Sequence, residues 1–156
     1  AIRQVAKNFG GVEHRIELVR VKDGVRYYND SIASSPSRTI AGLRSFPEKV
    51  ILIAGGYDKH IPYDVLGPEI CAHVKKLFLG GATGPKIRAA VENAPEYLPG
   101  MPEIVDCGDF TKATLAAARA AEPGDVVLMS PASAAFDQFK NFMVRGQYFK
   151  KLVKEL

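Results

Sequence analysis

Hydrophobic and polar residues follow one spacing near the start of this chain and another after about residue 50. His14–Val21 alternates apolar and polar positions, which predicts a half-buried strand. Asp23-Gly24 predicts a tight turn, and Val25–Asn29 predicts the return strand of a hairpin. After a polar segment, Pro36–Phe46 has apolar residues at helical spacing, with a proline suited to the first turn. We therefore expect an antiparallel hairpin followed by a short helix.

In the rest of the chain, continuous apolar runs alternate with segments of helical spacing. The runs predict strands that are buried on both faces, at residues 50–56, 75–81, 102–107 and 125–130. The intervening segments predict helices over much of 62–73 (interrupted at Gly67-Pro68), over 86–94 and 111–121, and from Asp137 to the C-terminus. This alternation predicts an α/β fold. We expect a Rossmann-like, mostly parallel sheet with helices on both faces and an antiparallel edge hairpin at the N-terminus.

Composition and charge indicate a single globular domain and exclude several classes of partner. The chain has 156 residues, 47% of them hydrophobic, which is enough for one domain with its own core. A net charge of +4 indicates solvated surface lysines, or alternatively a cleft for acidic ligands such as nucleotides or carboxylates. The sequence has no long basic run and no motif of the known nucleic-acid-binding families, so we expect no nucleic-acid partner. It also has no apolar stretch long enough to span a bilayer, so we expect no membrane partner.

Cysteine and histidine residues indicate neither a disulfide framework nor a metal site. Cys71 and Cys107 fall in separate predicted elements, which is typical of reduced thiols in a cytoplasmic protein. No Cys/His cluster has zinc-ligand spacing, and His14, His60 and His73 are scattered along the chain. We therefore expect no metal bound by this chain.

Small, hydroxyl and charged residues follow the predicted strands. Ligands of open parallel sheets bind outside the carboxyl ends of the strands, where glycines and helix N-termini favour anions. The candidates are Asp30, Ser31, Ser34, Ser35, Gly55, Gly56, Lys59, Gly80, Gly81, Thr83, Ser130, Ser133 and Asp137. The residues alone therefore favour an anion site at this edge of the sheet.

Each candidate also has a purely structural interpretation. Ser34, Ser35 and Asp137 are well placed as helix caps, and Lys59 is as consistent with a solvated lysine as with an anion contact. Phe139 and Phe142, three residues apart, predict core packing on one helix face. Phosphate-loop, dinucleotide and hydrolase motifs are all missing. From the residues alone, a stand-alone anion-binding or regulatory module remains an alternative to an enzyme domain.

Four ordered segments resemble one known family. They are GVEHR (11–15), YNDSIAS (28–34), ILIAGGYDKH (51–60) and PGDVVLMSPASAAFDQFKNFMVRG (123–146). In this order they are similar to the C-terminal domain of the D-glutamate-adding branch of the Mur ligases, and the resemblance covers nearly the whole chain. It implies that residues 1–11 are the tail of a preceding ATPase domain or linker, and that 12–156 form the C-terminal domain.

The resemblance implies that this domain takes part in an ATP-dependent ligation reaction. The family joins D-glutamate to UDP-N-acetylmuramoyl-L-alanine through an acyl phosphate, during peptidoglycan synthesis. ATP and Mg²⁺ are bound mainly by the central domain, while this domain brings D-glutamate and closes over the nucleotide. The implied protein is a cytoplasmic monomer, and this domain by itself is expected to be inactive.

Position by position, the resemblance also implies roles for individual residues. Lys59, Ser34 and Phe142 correspond to contacts of D-glutamate, and His14, Arg15 and Asp30 correspond to residues near the nucleotide. Two positions depart from the family: Ile32 replaces a lysine, and Ala135 replaces a serine, with Ser133 at the place of a cysteine. We therefore expect Ser35 and backbone amides to help Lys59 and Ser34 hold the substrate.

Overall fold

A six-stranded sheet forms the centre of the part of the chain that the computed structural model describes, residues 12–136 and 138–156. Its strands are β1 (Glu17–Lys22), β2 (Val25–Asn29), β3 (Val50–Ala54), β4 (Val74–Gly80), β5 (Glu103–Gly108) and β6 (Val126–Met129). Their order is β1-β2-β6-β3-β4-β5. Only the β1–β2 pair is antiparallel, so the expected parallel sheet with an edge hairpin is confirmed.

Helices cover both faces of the sheet, as predicted. They are α1 (Pro36–Leu43), α2 (Leu66–His73), α3 (Gly84–Glu92), α4 (Phe110–Ala120) and α5 (Phe142–Lys154). The first three pack on one face, where Leu52 of β3 lies in the same apolar cluster as Leu66 and Ile87. On the other face, Ile53 packs with residues of α4 and α5 such as Phe149. None of the described helices is long and apolar enough to cross a membrane.

The strand order brings three loops together. β6 lies between β2 and β3 and is parallel to both, although it is the last strand in the chain. The segments that follow β2, β3 and β6 therefore leave the sheet side by side at one edge. This is the edge at which open α/β sheets bind their ligands.

Two predicted element starts are wrong. β1 begins at Glu17 rather than His14, because His14 and Ile16 have φ angles of 66° and 46° and belong to a turn. α5 begins at Phe142, after Asn141 accepts a hydrogen bond from the backbone N–H of Val144 at 2.9 Å. Residues 1–11 and Asp137, to which the sequence assigned a linker and a helix start, lie outside the described residues.

The late start of α5 also overturns the predicted pairing of two phenylalanines. Phe139 precedes the helix and packs edge-on against Phe110, with ring centroids 5.3 Å apart. Phe142 instead faces the ring of His14, at 5.9 Å. The two rings thus belong to different parts of the molecule: Phe139 to the core under α4, and Phe142 to the edge where the loops meet.

The predicted interruption of α2 at Gly67-Pro68 is wrong, because the helix is continuous from Leu66 to His73. The helix begins at Leu66, so both residues lie in its first turn, where backbone N–H groups need no partner within the helix. A side chain at position 67 would overlap the carbonyl oxygen of Ala90 in α3. The glycine therefore allows α2 and α3 to pack closely.

Candidate functional site

A pocket of about 250 Å³ lies among the loops that follow β2, β3 and β6. We call it the Lys59 pocket. It is lined by Ser34, Lys59, Ala134, Ala135, Phe136, Asn141 and Phe142. Three residues that the sequence assigned to one substrate are therefore brought together, although 108 positions separate Ser34 from Phe142 (142 − 34).

Lys59 lies on a loop whose backbone is fixed on both sides. Gly55 has a φ of 110°, and a side chain there would overlap the carbonyl oxygen of Gly80. Its N–H donates to Pro131 at 2.9 Å, and the N–H of Tyr57 donates to Ala134 at 2.8 Å. The loop after β3 is thus attached to the loop after β6, which forms the opposite wall of the pocket.

The charges around Lys59 leave its own ammonium group available. The neighbouring Asp58 pairs with Lys86 at 2.7 Å and accepts from the backbone N–H of His60, and both contacts lower its pKa. Lys59 itself is exposed and has no hydrogen bond or ion pair with any described residue. It is the only cation among the described residues that line the pocket. An anion in the pocket would therefore meet an unneutralised positive charge.

Ser35 lies outside the lining of this pocket. It occupies the N-cap position of α1, as predicted, but its side chain makes no capping hydrogen bond. Its hydroxyl instead lies 3.3 Å from that of Ser37. The predicted N-cap position of Ser35 is therefore confirmed, but the capping hydrogen bond expected from its side chain is not formed.

Arg145 on α5 is the main support that sequence reasoning missed. Its guanidinium, 1% exposed, donates to the hydroxyl and carbonyl oxygens of Ser31 at 2.9 and 2.7 Å. It also donates to the carbonyl oxygen of Ser133 at 2.8 Å. Arg145 therefore holds the loops after β2 and β6 against the helix that begins with Phe142. The signal was available, because Arg145 lies at helical spacing with the buried Phe149 and Val153.

Ser133 is buried in a hydroxyl network rather than exposed to the pocket. Its oxygen lies 2.7 Å from Thr83 Oγ1 and 3.0 Å from the hydroxyl of Tyr63. Thr83 in turn accepts a hydrogen bond from the N–H of Gly56 at 2.9 Å. A small polar residue at position 133 therefore stabilises the loops beneath the pocket. Ala135 lines the pocket directly, so the wall carries a methyl group at the position where the resemblance implied a serine hydroxyl.

A second pocket, of about 380 Å³, lies on the other side of the loop after β2. We call it the Asp30 pocket. It is lined by Arg15, Ile16, Asp30, Ile32, Ala33, Arg38, Ala41, Gly42 and Ser45. Arg15 and Asp30 are together as expected, and Arg38 is a second cation that sequence reasoning missed. Ile32, at the place of a family lysine, contributes an apolar wall.

Asp30 is a buried carboxylate within this second pocket. It accepts hydrogen bonds from the hydroxyl of Ser130 at 2.7 Å and from the N–H of Ile16 at 3.2 Å. Burial raises the pKa of Asp30 to about 6, and these hydrogen bonds with the nearby Arg15 and Arg38 only partly oppose the rise. With a pKa of about 6, the Asp30 carboxyl group is mostly ionised at neutral pH, and two arginines lie in the same pocket.

His14 does not line the Asp30 pocket, although the resemblance grouped it with Arg15 and Asp30. It is buried, and its Nδ1 lies 2.9 Å from the side-chain amide nitrogen of Asn29, which donates to it. A side chain at Gly146 would overlap the His14 ring. His14 thus lies between β2 and α5, next to the ring of Phe142.

The described residues contain one cluster with the spacing of metal ligands: Glu13, His14 and Glu17. The ammonium group of Lys150 lies between its two carboxylates, at 2.7 and 3.1 Å. The cluster therefore already has a cation, supplied by α5.

The parallel sheet, the switch in strand order and two cation-containing pockets at the same edge are an arrangement typical of α/β ligand-binding domains. The family model described as "Mur ligase, glutamate ligase domain" matches residues 14–133. Because the match covers most of the chain, the protein belongs to this family, as the sequence segments predicted.

Curated relatives are similar along the whole chain. The chain is 57% identical, over 99% of its length, to a protein of Acetivibrio thermocellus named UDP-N-acetylmuramoylalanine--D-glutamate ligase. It is 51% identical, again over 99%, to a protein of the same name from Clostridium beijerinckii. In both comparisons the chain spans only 34% of the relative's length.

Solved structures share the fold at much lower sequence identity. A folylpolyglutamate synthase from Thermotoga maritima matches 99% of this chain with a TM-score of 0.60 and 18% identity, over 34% of its own length. A murein peptide ligase from Psychrobacter arcticus matches 98% of this chain with a TM-score of 0.60 and 14% identity, over 32% of its own length. Both confirm the Rossmann-like arrangement.

Proposed function

We propose that this chain is the C-terminal domain of an ATP-dependent ligase that adds D-glutamate to UDP-N-acetylmuramoyl-L-alanine in peptidoglycan synthesis. The names of relatives at 57% and 51% identity support this substrate pair. Residues 12–156 form the domain, and residues 1–11 lead from a preceding ATPase domain that binds most of the ATP and Mg²⁺. Those relatives are about three times as long, which leaves room for such a domain.

The Lys59 pocket is the proposed site of D-glutamate. The observation that supports it most strongly is the position of the Lys59 ammonium, unneutralised, beside the hydroxyl-bearing Ser34 and the ring of Phe142. A carboxylate of D-glutamate would pair with Lys59 in a charge-assisted hydrogen bond. The aliphatic part of the substrate would pack against Phe142. Ser35 takes no direct part in this arrangement.

The Asp30 pocket is the proposed contact with the nucleotide. Arg15 and Arg38 suit phosphate oxygens, and the ionised Asp30 carboxylate suits a sugar hydroxyl donor. His14 would act indirectly, by holding Phe142 and the end of β2 in place. The two pockets share the loop after β2, since Ser34 lines one of them and Asp30 the other.

In the reaction, this chain would then bind and orient D-glutamate and would exclude water from the site. The amine of D-glutamate attacks the acyl carbon of the phosphorylated muramoyl-alanine carboxylate, an amide bond forms, and phosphate leaves. Lys59 and Ser34 fix the direction from which that amine approaches. Closure of the domain over the nucleotide would protect the acyl phosphate from hydrolysis. Without its neighbouring domains the chain would have no such activity.

Replacing Lys59 tests this assignment. In the full-length protein, Lys59→Ala should raise the KM for D-glutamate by about 10- to 100-fold, as expected for the loss of one charge-assisted contact. The KM for ATP should stay within about twofold, because Lys59 does not line the Asp30 pocket. Steady-state kinetics with each substrate varied in turn measures both constants.

Lys49→Ala is the matched control. Lys49 is also exposed, but it directly precedes β3, at the amino end of the strand, whereas Lys59 follows the carboxyl end. We expect this variant to behave as wild type. An unchanged KM for D-glutamate in Lys59→Ala, or equal changes in both variants, would refute the assignment.

A further inference from the structure

A third pocket, of about 370 Å³, lies at the end of the sheet opposite the two pockets described above. We call it the Tyr27 pocket. It is lined by Lys22, Asp23, Val25, Tyr27, Leu115, Ala118, Arg119, Ala121, Pro123 and Leu156. These residues come from the β1–β2 hairpin, from the last turns of α4 and from the segment before β6. None of them lines the Lys59 pocket or the Asp30 pocket.

Tyr27 supplies a hydroxyl group to this pocket. The residue is only 4% exposed, yet its hydroxyl makes no hydrogen bond with any described residue. Its neighbour across the hairpin, Arg20, donates instead to the carbonyl oxygens of Val153 and Lys154, at 2.9 and 3.1 Å. The hydroxyl is not among the fully buried polar atoms that lack a partner, so it is open to the pocket and can donate to a ligand atom there.

Arg119 supplies an available positive charge. It lies in the last turn of α4, is exposed, and has no hydrogen bond or ion pair within the described part of the chain. The other two charges of the lining, Lys22 and Asp23, pair with each other at 2.9 Å. Among the side chains that line the pocket, the charge that remains is therefore positive.

The rest of the lining is apolar. Val25, Leu115 and Pro123 come from three different segments of the chain, and alanines of α4 and of the segment after it complete the apolar lining. A ligand that fits these surfaces has an apolar body of limited size, one oxygen for Tyr27, and a negative charge for Arg119. Pockets of this size that combine apolar walls with a few polar groups are typical of small-molecule sites.

We propose that the Tyr27 pocket binds a small carboxylate with an apolar body. Its carboxylate pairs with Arg119 and accepts a hydrogen bond from the Tyr27 hydroxyl, while the body packs against Val25, Leu115 and Pro123. The Tyr27 pocket is separate from the proposed ligase site, so this proposal does not depend on the proposed ligase function.

Ligand-observed saturation-transfer NMR on the purified full-length protein tests the proposal, with phenylacetate as the probe. We expect a dissociation constant of about 1 mM or tighter, as a ligand of this size allows. Tyr27→Phe, which keeps the ring, and Arg119→Gln should each weaken binding by about three- to tenfold. Lys59→Ala should leave binding unchanged, and neither D-glutamate nor ATP should compete.

Three results would overturn the proposal. One is no saturation transfer to phenylacetate at about 10 mM, well above the expected constant. Another is equal binding of the cation benzylamine, which would show that charge is not recognised. The third is wild-type affinity in both Tyr27→Phe and Arg119→Gln, with circular dichroism confirming that the variants are folded. A failed assignment of Lys59 would leave all three measurements unaffected.

Discussion

Asp30 is a residue whose burial and hydrogen bonds act on its charge in opposite directions. The residue is 3% exposed, and burial raises the pKa of its carboxyl group to about 6 despite the hydrogen bonds from Ser130 and Ile16. Its protonated form is therefore favoured by folding. Between the unfolded value near 3.8 and the folded value near 6, the native state binds more protons than the unfolded state, so stability falls as pH rises.

Asp30→Asn should remove this pH dependence. The amide can accept from the N–H of Ile16 and donate to Ser130, so the packing is retained. We compare the free energy of unfolding of the wild type with that of the variant at each pH. The difference, wild type minus variant, should fall by about 2–3 kcal/mol from pH 4 to pH 7. Urea unfolding of both proteins at several pH values measures the difference. Parallel profiles would show that Asp30 is not desolvated.

At the scale of elements, α5 joins the parts of the site. Arg145 holds the loops after β2 and β6, and Phe142 at the first position of the helix faces the Lys59 pocket. One turn away, Gly146 lets the helix approach the ring of His14. The helix therefore positions both the Phe142 wall of the Lys59 pocket and the turn that precedes β1.

Gly146→Ala should destabilise the protein, although alanine favours helices. The added methyl group would overlap the His14 ring, and such overpacking costs about 1–3 kcal/mol, more than the gain of up to about 1 kcal/mol in helix propensity. Gly84→Ala in α3 is the matched control, because the nearest atom there is a flexible carboxylate oxygen of Asp106 at 3.2 Å. Thermal or urea unfolding distinguishes them. Equal stability of the two variants would contradict the close approach.

The elements themselves were predictable, and their starts were less so. The apolar run of β3 and the helical spacing of α4 are strong local signals, and both elements lie within two residues of their predicted bounds. The turn at His14 and Ile16 has no glycine to indicate its positive φ angles. The start of α5 was misplaced because Phe139 continues the spacing of the helix while packing elsewhere.

On the scale of the whole molecule, the site results from the strand order. β6 enters the sheet between β2 and β3, and only this arrangement brings Ser34, Lys59 and Phe142 to one pocket. Spacing along the chain predicted which loops would follow strands. It could not predict that Ser35 would lie outside the pocket or that Arg38 would join the Asp30 pocket, because both depend on packing between distant segments.

The charges in the Lys59 pocket bear on how much of a D-glutamate site this chain can supply. D-Glutamate has two carboxylates and an ammonium group, whereas Lys59 is the only charged residue among the described residues that line the pocket. If the pocket holds D-glutamate as proposed, the other charged groups of the substrate need partners from outside this lining. The curated relatives are long enough to supply such partners, since this chain spans only 34% of their length.

A crystal structure of the full-length protein with the ligation product, UDP-N-acetylmuramoyl-L-alanyl-D-glutamate, is the decisive test of the Lys59 pocket as the D-glutamate site. We expect a carboxylate of the D-glutamyl group to lie about 2.7–3.0 Å from Lys59 Nζ, with the group between Ser34 and the ring of Phe142. A D-glutamyl group held by other residues, with the Lys59 ammonium in solvent, would contradict this assignment.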